Sequence, residues 1–421
     1  MTCIDPEGMA DPAASDREVD LVERVEARFR RELDRHLRGR RYGRVVDIIG
    51  NQLKVTGVEL RVGQQCLLSE RGSVGVDLPG EVTAITRGSA LVSVLGEVSG
   101  LGAMTLVRPG EREQSVPVGP TMLGRVVDAM GEPIDDPLAP LNGAQRQPLS
   151  APPPPAMTRP LIRVPLETGV RAIDAFLTVG RGQRLGIFAP AGAGKSTLLG
   201  MIARGAGRGH VCVIALIGER GREVREFLDD VLTHDQRRNT VIVVATSDRP
   251  SIERIRAAQT ATAIAEYFRD QGQDVLLLCD SVTRLARALR ETGLAAGEPP
   301  VRRGYPPSVF TALPRLVERA GPAAKGSITA FYTVLLEDAE TADPIGEEVR
   351  SLLDGHIVLS PQLASAGHYP AIDIRQSVSR LMGSLVAPAI AQAAVRCRDW
   401  MARHDDAELL LRIGEYREGG D

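Results

Sequence analysis

Residues 184–206, RLGIFAPAGAGKSTLLGMIARGA, decide the fold of this chain. An apolar run typical of a strand leads into a glycine-bearing loop, and the residues after Lys195 continue in a helical pattern. The segment matches the phosphate-binding pattern Gly-x-x-x-x-Gly-Lys-Ser/Thr, with Ala189 in the position of the first glycine. A chance match is the alternative, and both the strand–loop–helix context and the scarcity of lysine argue against it.

The loop carries the chemistry that phosphate binding requires. Gly192 and Gly194 permit a backbone path that points successive N–H groups into one cavity, and the following helix adds the positive end of its dipole. Lys195 is predicted to place a compact ammonium on the β- and γ-phosphates of ATP, and Ser196 to ligate Mg²⁺. The residues predicted to contact the nucleotide here are Ala191, Gly192, Ala193, Gly194, Lys195, Ser196 and Thr197.

Lysine is rare in this chain, because only Lys54, Lys195 and Lys325 are lysines among 51 basic residues. A chain that uses arginine almost everywhere else has a lysine where a flexible point charge suits the phosphates better than a planar guanidinium. Lys54 and Lys325 are predicted to be ordinary surface residues.

The composition excludes several classes of protein. A formal net charge of −3 gives no electrostatic reason to expect a protein that coats nucleic acid or anionic membrane. The chain has no run of about 18 apolar residues and an acidic start, so we expect a soluble, cytoplasmic protein without a signal peptide. The five cysteines are scattered without a C-x-x-C pair, which argues against a disulfide framework or a cysteine zinc site.

The pattern of the chain divides it into four segments. Residues 1–42 are predicted to form a helical arm, whose Arg-rich end is either a solvated face or a surface for a partner or lipid headgroups. Short alternating runs over 43–112 predict a small antiparallel β-barrel. Alternating strand and helix patterns over 113–385 predict a doubly wound α/β core, and 386–421 turns helical.

Two further strands of the predicted core deliver carboxylates. The apolar run DVLLLCD (274–280) ends in Asp280, which is predicted to complete the Mg²⁺ shell opposite Ser196, with capping of the next helix as the alternative. The run VCVIALIG (211–218) leads to Glu219, which is predicted to polarise a water for in-line attack on the γ-phosphate. A solvent-exposed glutamate is the alternative for Glu219.

Five unusual strings occur in one order along the chain: APAGAGKST (189–197), ALIGERGREVREF (215–227), DVLLLCDSVTR (274–284), GEPPVRRGYPPSVF (297–310) and GHYPAIDIRQSVSR (367–380). Together they resemble the ATPases of type III protein secretion, which are relatives of the rotary ATP synthase catalytic subunits. The resemblance covers about residue 20 to the end. It implies an α/β fold with a RecA-like P-loop ATPase core, an N-terminal small β-barrel and a C-terminal helical domain.

The resemblance also implies roles for single residues. Glu219 matches the catalytic carboxylate, Asp280 the Walker B acid, and Glu223 a residue in the water shell of the metal. The remaining matches are Arg220 and Arg284 beside the γ-phosphate, Tyr369 stacked on adenine, and Arg380 as the arginine finger from a neighbouring subunit.

One chain that carries both Glu219 and Arg380 can build complete sites between identical copies, which predicts a head-to-tail ring and, by analogy with the family, a homohexamer. The resemblance implies further partners: a central stalk protein, a stator or regulator protein on the N-terminal arm, the export gate and chaperone–effector complexes. Arg302, Arg303 and Tyr305 are the candidates for the stalk contact. The expected location is the cytoplasmic face of the inner membrane, with peripheral membrane association.

Several other functions are open at this point. The strings TSDRPSIERIRAA (246–258) and GEEVRSLLDGHIVLS (346–360) favour the virulence-type injectisome branch over a flagellar export ATPase. A Rho-like RNA translocase would need aromatic platforms on the barrel, where only Tyr42 at the edge is available, so no nucleic-acid partner is expected. Glu219 speaks against a non-catalytic ring subunit, and Ala189 against an ATP synthase β subunit. Relatives continue in helix beyond the equivalent of GEYREGGD (414–421), so the helical domain looks short.

Overall fold

A computed structural model describes residues 42–70, 77–110, 114–136, 138–207, 209–336 and 343–416. Residues 1–41, and with them almost all of the predicted helical arm, lie outside the described residues. No helix in the described part of the chain has the length and apolar character needed to cross a lipid bilayer.

The first strands form a closed antiparallel barrel, as the alternating runs predict. Its strands follow the order β1-β2-β5-β4-β3-β6 around the barrel, and every pairing is antiparallel. Fully buried valine and leucine side chains such as Leu53, Val82 and Val92 fill the interior. The strands are β1 (Gly43–Ile49), β2 (Gln52–Thr56), β3 (Gln65–Glu70), β4 (Leu78–Thr86), β5 (Ser89–Val94) and β6 (Thr105–Pro109).

The rest of the described chain is built around one large sheet. The remaining strands are β7 (Ser115–Val118), β8 (Val126–Val127), β9 (Gln145–Pro148), β10 (Pro165–Leu166), β11 (Val179–Gly180), β12 (Arg184–Pro190), β13 (Val211–Ile217), β14 (Thr240–Ala245), β15 (Asp274–Asp280), β16 (Gly321–Pro322), β17 (Ser327–Leu336), β18 (Gly355–Leu359) and β19 (Ile372–Ser379). The sheet has the order β19-β18-β12-β17-β15-β13-β14-β8, with β16 paired to β17. Its pairings are parallel except those of β19 with β18 and of β16 with β17. Two smaller sheets pair β7 with β9 and β10 with β11.

Helices connect the strands of the sheet and extend beyond its last strand. They are α1 (Arg171–Phe176), α2 (Lys195–Ala206), α3 (Gly221–Glu226), α4 (His234–Arg237), α5 (Ser251–Asp270), α6 (Val282–Ala295), α7 (Pro307–Val317), α8 (Pro344–Leu352), α9 (Pro361–Ser365), α10 (Met382–Leu385) and α11 (Pro388–Ile413). Short 3₁₀ turns occur at Pro120–Met122 and Ala156–Thr158, and a π-helical turn at Phe227–Val231.

Both faces of the sheet are covered, which explains why its strands are apolar throughout. Along β13, Val213 and Ala215 belong to the core that α5 and α6 cover, whereas Ile214 and Leu216 belong to the core that α2 covers. A side-chain period of two therefore divides one strand between two cores. This is the doubly wound α/β arrangement that the sequence predicts.

Arginines fasten the Pro-rich connection before the sheet to the ends of the core strands. Arg159 donates from Nε to the carbonyl of Pro154 at 3.1 Å, from Nη1 to the carbonyl of Ala320 at 2.9 Å, and from Nη2 to the carbonyl of Glu318. The Glu318 carboxylate also pairs with Arg184, at the start of β12, at 2.7 Å. Since three of these acceptors are backbone carbonyls, the guanidinium of Arg159 is committed to holding the chain.

A buried ion pair lies next to this connection. Arg319 donates to both carboxylate oxygens of Glu266 on α5, at 2.9 and 2.5 Å, and from Nη1 to the carbonyl of Leu149 at 2.8 Å. Both side chains are almost fully buried. The bidentate geometry gives the buried carboxylate two charge-assisted hydrogen bonds.

Candidate active site

The loop between β12 and α2 has the backbone path that the glycine spacing predicts. Gly192 and Gly194 have φ values of +78° and +85°, in the left-handed region, and Gly194 is the N-cap of α2. A Cβ at Gly192 would meet no atom within 4 Å, so the loop faces open space. Ala191, Ser196 and Thr197 are exposed around it, whereas Ala193 is buried beneath it. An anion can therefore approach this helix N-terminus.

Lys195 lies between two carboxylates that come from different strands. Its Nζ is 3.2 Å from Oε1 of Glu219 and contacts Oδ1 of Asp280. The lysine side chain is 11% exposed, and both carboxylates are buried. Lys195 thus reduces the repulsion between the buried carboxylates of Glu219 and Asp280.

Glu219 is held by a second cation. Arg284, on α6, donates from Nη2 to Oε2 of Glu219 at 3.1 Å. Gly218 has φ +68°, and a Cβ there would lie 3.0 Å from Cδ of Arg284, so glycine permits this approach. Burial raises the pKa of Glu219 most; Lys195 and Arg284 oppose the rise, and a hydrogen bond with Glu223 adds to it. Glu219 is 6% exposed, so the alternative of a solvent-exposed glutamate is wrong.

Asp280 ends β15 and is also buried. The N-cap of α6 is Ser281, whose side chain accepts from the N–H of Arg284, so capping by Asp280 is wrong. Oδ1 of Asp280 accepts a hydrogen bond from the hydroxyl of Thr333 at 2.7 Å. Thr333 is not among the residues predicted for the site; the signal for it in the sequence is a hydroxyl in the apolar run SITAFYTVLL (327–336).

Two of the predicted residues form an exposed pair next to this cluster. Arg220 donates from Nη1 to Oε1 of Glu223 at 3.3 Å, and the Arg220 side chain is largely exposed. Glu223 lies close enough to Glu219 to contribute to the raised pKa of that carboxyl. Arg220 therefore faces solvent at the rim of the cluster.

Tyr369 lies beside the phosphate-binding loop. A Cβ at Gly194 would be 3.5 Å from Cε1 of its ring, and the side chain is 60% exposed. A flat, exposed aromatic face next to the loop can stack on a base.

Arg380 lies at the edge of the sheet where the parallel strands begin, opposite the edge where they end and where Lys195 lies. It follows the antiparallel strand β19, whose last residue, Ser379, pairs with Gly355 at the start of β18. Because β18 runs parallel to β12, with His356 opposite Gly186, Arg380 is near the beginning of β12, whereas Lys195 lies beyond its end. Seven residues of β12 span roughly 20 Å at ~3.3 Å per residue, so one chain does not bring Arg380 to its own Lys195.

The donor set at the loop fits a hard divalent cation. Ser196 and Asp280 supply a hydroxyl and a carboxylate, which are oxygen donors of the kind that Mg²⁺ prefers alongside phosphate oxygens and water. In the described ranges no three His, Cys, Asp or Glu side chains gather into a metal site. Because one hydroxyl and one carboxylate leave most positions of a six-coordinate ion open, these residues fit a metal that arrives with a nucleotide.

Of the three residues predicted to contact a stalk protein, one is buried in the structure. Arg302 and Arg303 are exposed, but Tyr305 is only 7% exposed and its ring lies 5.0 Å from the guanidinium carbon of Arg290. Tyr305 is thus a support for the loop, and of the three candidates only Arg302 and Arg303 are exposed, next to the exposed Val301.

Comparison with known families gives two matches. The nucleotide-binding domain of the ATP synthase alpha/beta family matches residues 169–379. A domain described as the T3SS EscN ATPase C-terminal domain matches residues 386–421.

The similar proteins are named as type 3 secretion system ATPases or as a flagellum-specific ATP synthase. The type 3 secretion system ATPase of Xanthomonas euvesicatoria is 52% identical over 397 residues, which cover 94% of this chain and 89% of that protein. The flagellum-specific ATP synthase of Bacillus subtilis is 45% identical over 380 residues, which cover 90% and 86%. The assembled ATPase EscN from enteropathogenic E. coli superimposes with a TM-score of 0.85 at 48% identity over 90% of each chain. EscN in complex with its central stalk EscO gives a TM-score of 0.82.

Proposed function

This chain belongs to the type 3 secretion system ATPases of the ATP synthase alpha/beta family and is an ATPase, and we propose that it hydrolyses Mg·ATP at sites shared between neighbouring copies in a homohexameric ring. The observation that carries this proposal is the placement of Arg380 and Lys195 at opposite edges of the sheet. A finger that cannot reach its own site has to serve the next copy, and a head-to-tail ring closes such contacts.

The mechanism follows from the partners of Lys195. Among the described residues, its ammonium pairs with the side-chain carboxylates of Glu219 and Asp280, and phosphate oxygens can replace them when nucleotide enters. The N–H groups of the loop and of the first turn of α2 then hold the phosphates. Arg284 keeps Glu219 oriented, and Glu219 takes up the proton of the attacking water. Mg²⁺, held by Ser196 and Asp280, would neutralise developing charge on the phosphates.

Arg380 from the neighbouring copy would add a cation beside the γ-phosphate, where charge develops in the transition state. Tyr369 would stack on the adenine, and Arg220 and Glu223 would complete the rim. No covalent intermediate is needed, because positioning and charge stabilisation supply the rate.

The proposed role in the cell is to energise type III secretion by releasing chaperones and unfolding exported proteins. EscN was solved with its central stalk EscO, and a corresponding stalk would contact Arg302 and Arg303 of this chain. A regulator on the N-terminal arm, the export gate and chaperone–effector complexes are the further proposed partners, at the cytoplasmic face of the inner membrane. The higher identity to the Xanthomonas protein than to the flagellum-specific one favours the injectisome branch.

The predicted division into an arm, a barrel (43–112), a core (113–385) and a helical domain (386–421) is part of this proposal. An RNA translocase is not favoured, because Tyr42 is the only aromatic side chain in the described barrel segment and its edge.

A mixing experiment tests the shared site. Arg380→Ala and Glu219→Gln chains should each bind nucleotide and lose hydrolysis, by about 10³-fold for the finger. If copies assemble at random from an equal mixture, about one interface in four combines an intact Glu219 with an intact Arg380. The mixture should therefore recover about a quarter of wild-type activity per site. A mixture as inactive as either parent, at a concentration where mass measurement shows mixed rings, would overturn the shared site.

A further inference from the structure

One hydroxyl is buried beside the carboxylate that ends β15. Thr333 is fully buried on β17, with Oγ1 at 2.7 Å from Oδ1 of Asp280 and at 3.3 Å from the carbonyl oxygen of Cys279. Both neighbours are acceptors, and a hydroxyl has one proton to donate. The shorter distance and the negative charge assign that proton to Asp280, as a charge-assisted hydrogen bond.

The sheet order makes this contact possible. β17 lies between β12, which carries the phosphate-binding loop, and β15, which carries Asp280. A hydroxyl at this depth is costly unless it is bonded, and the side chains of the apolar neighbours Phe331 and Val334 supply no acceptor. Thr333 is thus placed where it can act on Asp280 without touching nucleotide.

Oδ1 of Asp280 has two partners, one on a side chain that can move and one on a side chain that is fixed. Lys195 contacts the same oxygen as Thr333. In the proposed function, the lysine turns toward the phosphates when nucleotide binds, whereas Thr333 is fixed in a buried strand and stays. Of these two contacts, the one from Thr333 persists through the cycle.

We propose that Thr333 is a positioning residue that holds the Asp280 carboxylate in the orientation required for the divalent cation once Lys195 has left it. This inference rests on the proposed Mg·ATP chemistry but not on ring formation. Partners of this kind orient the groups that bind the metal, and their loss typically weakens metal binding about 10- to 100-fold.

The test compares binding of a fluorescent ADP analogue, mant-ADP, with and without Mg²⁺. Thr333→Val keeps the shape of the side chain and removes the hydrogen bond, and Thr333→Ala removes it without steric demand. Each should weaken the Mg²⁺-dependent binding of mant-ADP by about 10-fold and leave metal-free binding unchanged. Thr333→Ser, which keeps the hydroxyl, should restore the Mg²⁺ dependence.

A second buried threonine on the same strand is the matched control. Thr329 accepts from the N–H of Gly182 at 2.8 Å, at the far end of β17 from the site. Thr329→Val should lower stability without changing the Mg²⁺ dependence. The proposal is overturned if the Thr333 variants bind mant-ADP as wild type does, if they lose equal affinity with and without Mg²⁺, or if Thr329→Val has the same effect. The mant-ADP titration measures binding to the loop of one chain and does not require a shared site. The role of Thr333 can therefore be tested even if the mixing experiment shows that sites are not shared.

Discussion

Ion networks occupy both edges of the central sheet, and they differ in what their cations bind. At the carboxyl edge, the contacts of Lys195 and the guanidinium of Arg284 go to side-chain carboxylates, those of Glu219 and Asp280. At the opposite edge, Arg159 binds mainly backbone carbonyls. A carboxylate partner can be exchanged for phosphate, whereas a backbone carbonyl is released only by disrupting the fold.

The same contrast applies within the second edge. Arg319 binds both Glu266 and the carbonyl of Leu149 and is almost fully buried, whereas Arg380 is exposed there and makes no side-chain hydrogen bond to the described residues. Cations with exchangeable partners or open surroundings are therefore the ones available for chemistry. Three substitutions test this distinction, in order of decreasing effect.

The largest effect is expected at Lys195. Lys195→Ala removes the ammonium that the phosphates would recruit and leaves two buried carboxylates facing each other. We expect kcat to fall by about 10³-fold, in the range found when one preorganised donor is removed from a reacting anion. Steady-state ATPase assays measure this loss.

Lys325→Ala is the matched control, because Lys325 is exposed and distant in the sheet from the loop. It should keep wild-type turnover. Turnover in Lys195→Ala within twofold of the control would contradict the distinction between the two networks.

A loss of stability without a loss of chemistry is expected at the opposite edge. Arg319→Met leaves the buried carboxylate of Glu266 unpaired, which should lower the free energy of unfolding by about 3 kcal/mol. Denaturant unfolding measures this change, and turnover per folded molecule should stay the same.

The double variant Arg319→Met, Glu266→Leu removes both charges and should recover most of the stability, because an apolar pair replaces an ion pair that is costly to bury. If the double variant is as unstable as Arg319→Met alone, the loss comes from packing and not from the unpaired charge.

The sequence predicts the parts of the carboxyl edge that come from local patterns. The loop before Lys195 and the strand that ends in Asp280 are each contained in one short segment, and glycine spacing or an apolar run reveals them. The barrel and the doubly wound sheet follow from alternation in the same way. Burial of Glu219 could not be predicted, because it depends on Arg284, which lies 65 residues further along the chain.

Sheet order determines the rest. Thr333 contacts Asp280 because β17 is inserted between β12 and β15, and no local pattern encodes that order. Arg380 is at the second edge because β19 is antiparallel to β18, which reverses the usual direction. The Gly- and Pro-rich loop predicts a surface position for Tyr305, yet its ring packs inward.

The smallest effect is a pH dependence beside Arg380. Burial lowers the pKa of His356, Arg350 and Arg380 add to this, and a hydrogen bond with the carbonyl of Gln376 opposes it. The unfolded chain, with a histidine pKa near 6.5, therefore binds this proton more readily than the folded protein. The stability from neutral His356 is complete above pH 6.5 and is lost as the pH falls toward the pKa of the folded state.

Arg380→Ala removes one of these cations, so the pKa of His356 should rise toward its usual value and the acid-side loss of stability should shrink. An NMR titration of the His356 ring measures the first effect, and unfolding below pH 6.5 the second. His356→Gln should abolish the dependence. An unchanged titration in Arg380→Ala would place the guanidinium away from His356.

The scarcity of lysine and the position of Lys195 also allow nucleotide binding to be followed by chemical acylation of lysine side chains. An acylating reagent has three lysine side chains to modify in the sequence. Two of them, Lys54 and Lys325, are exposed and react as internal references, while the Nζ of Lys195 is held in ion pairs at 11% exposure. Because the Nζ of Lys195 is mostly covered and held by two carboxylates, reagent reaches it less readily than the exposed lysines, and a bound nucleotide would cover it further. The ratio of modified Lys195 to modified Lys325, read by mass spectrometry, should then fall as nucleotide occupies the phosphate-binding loop.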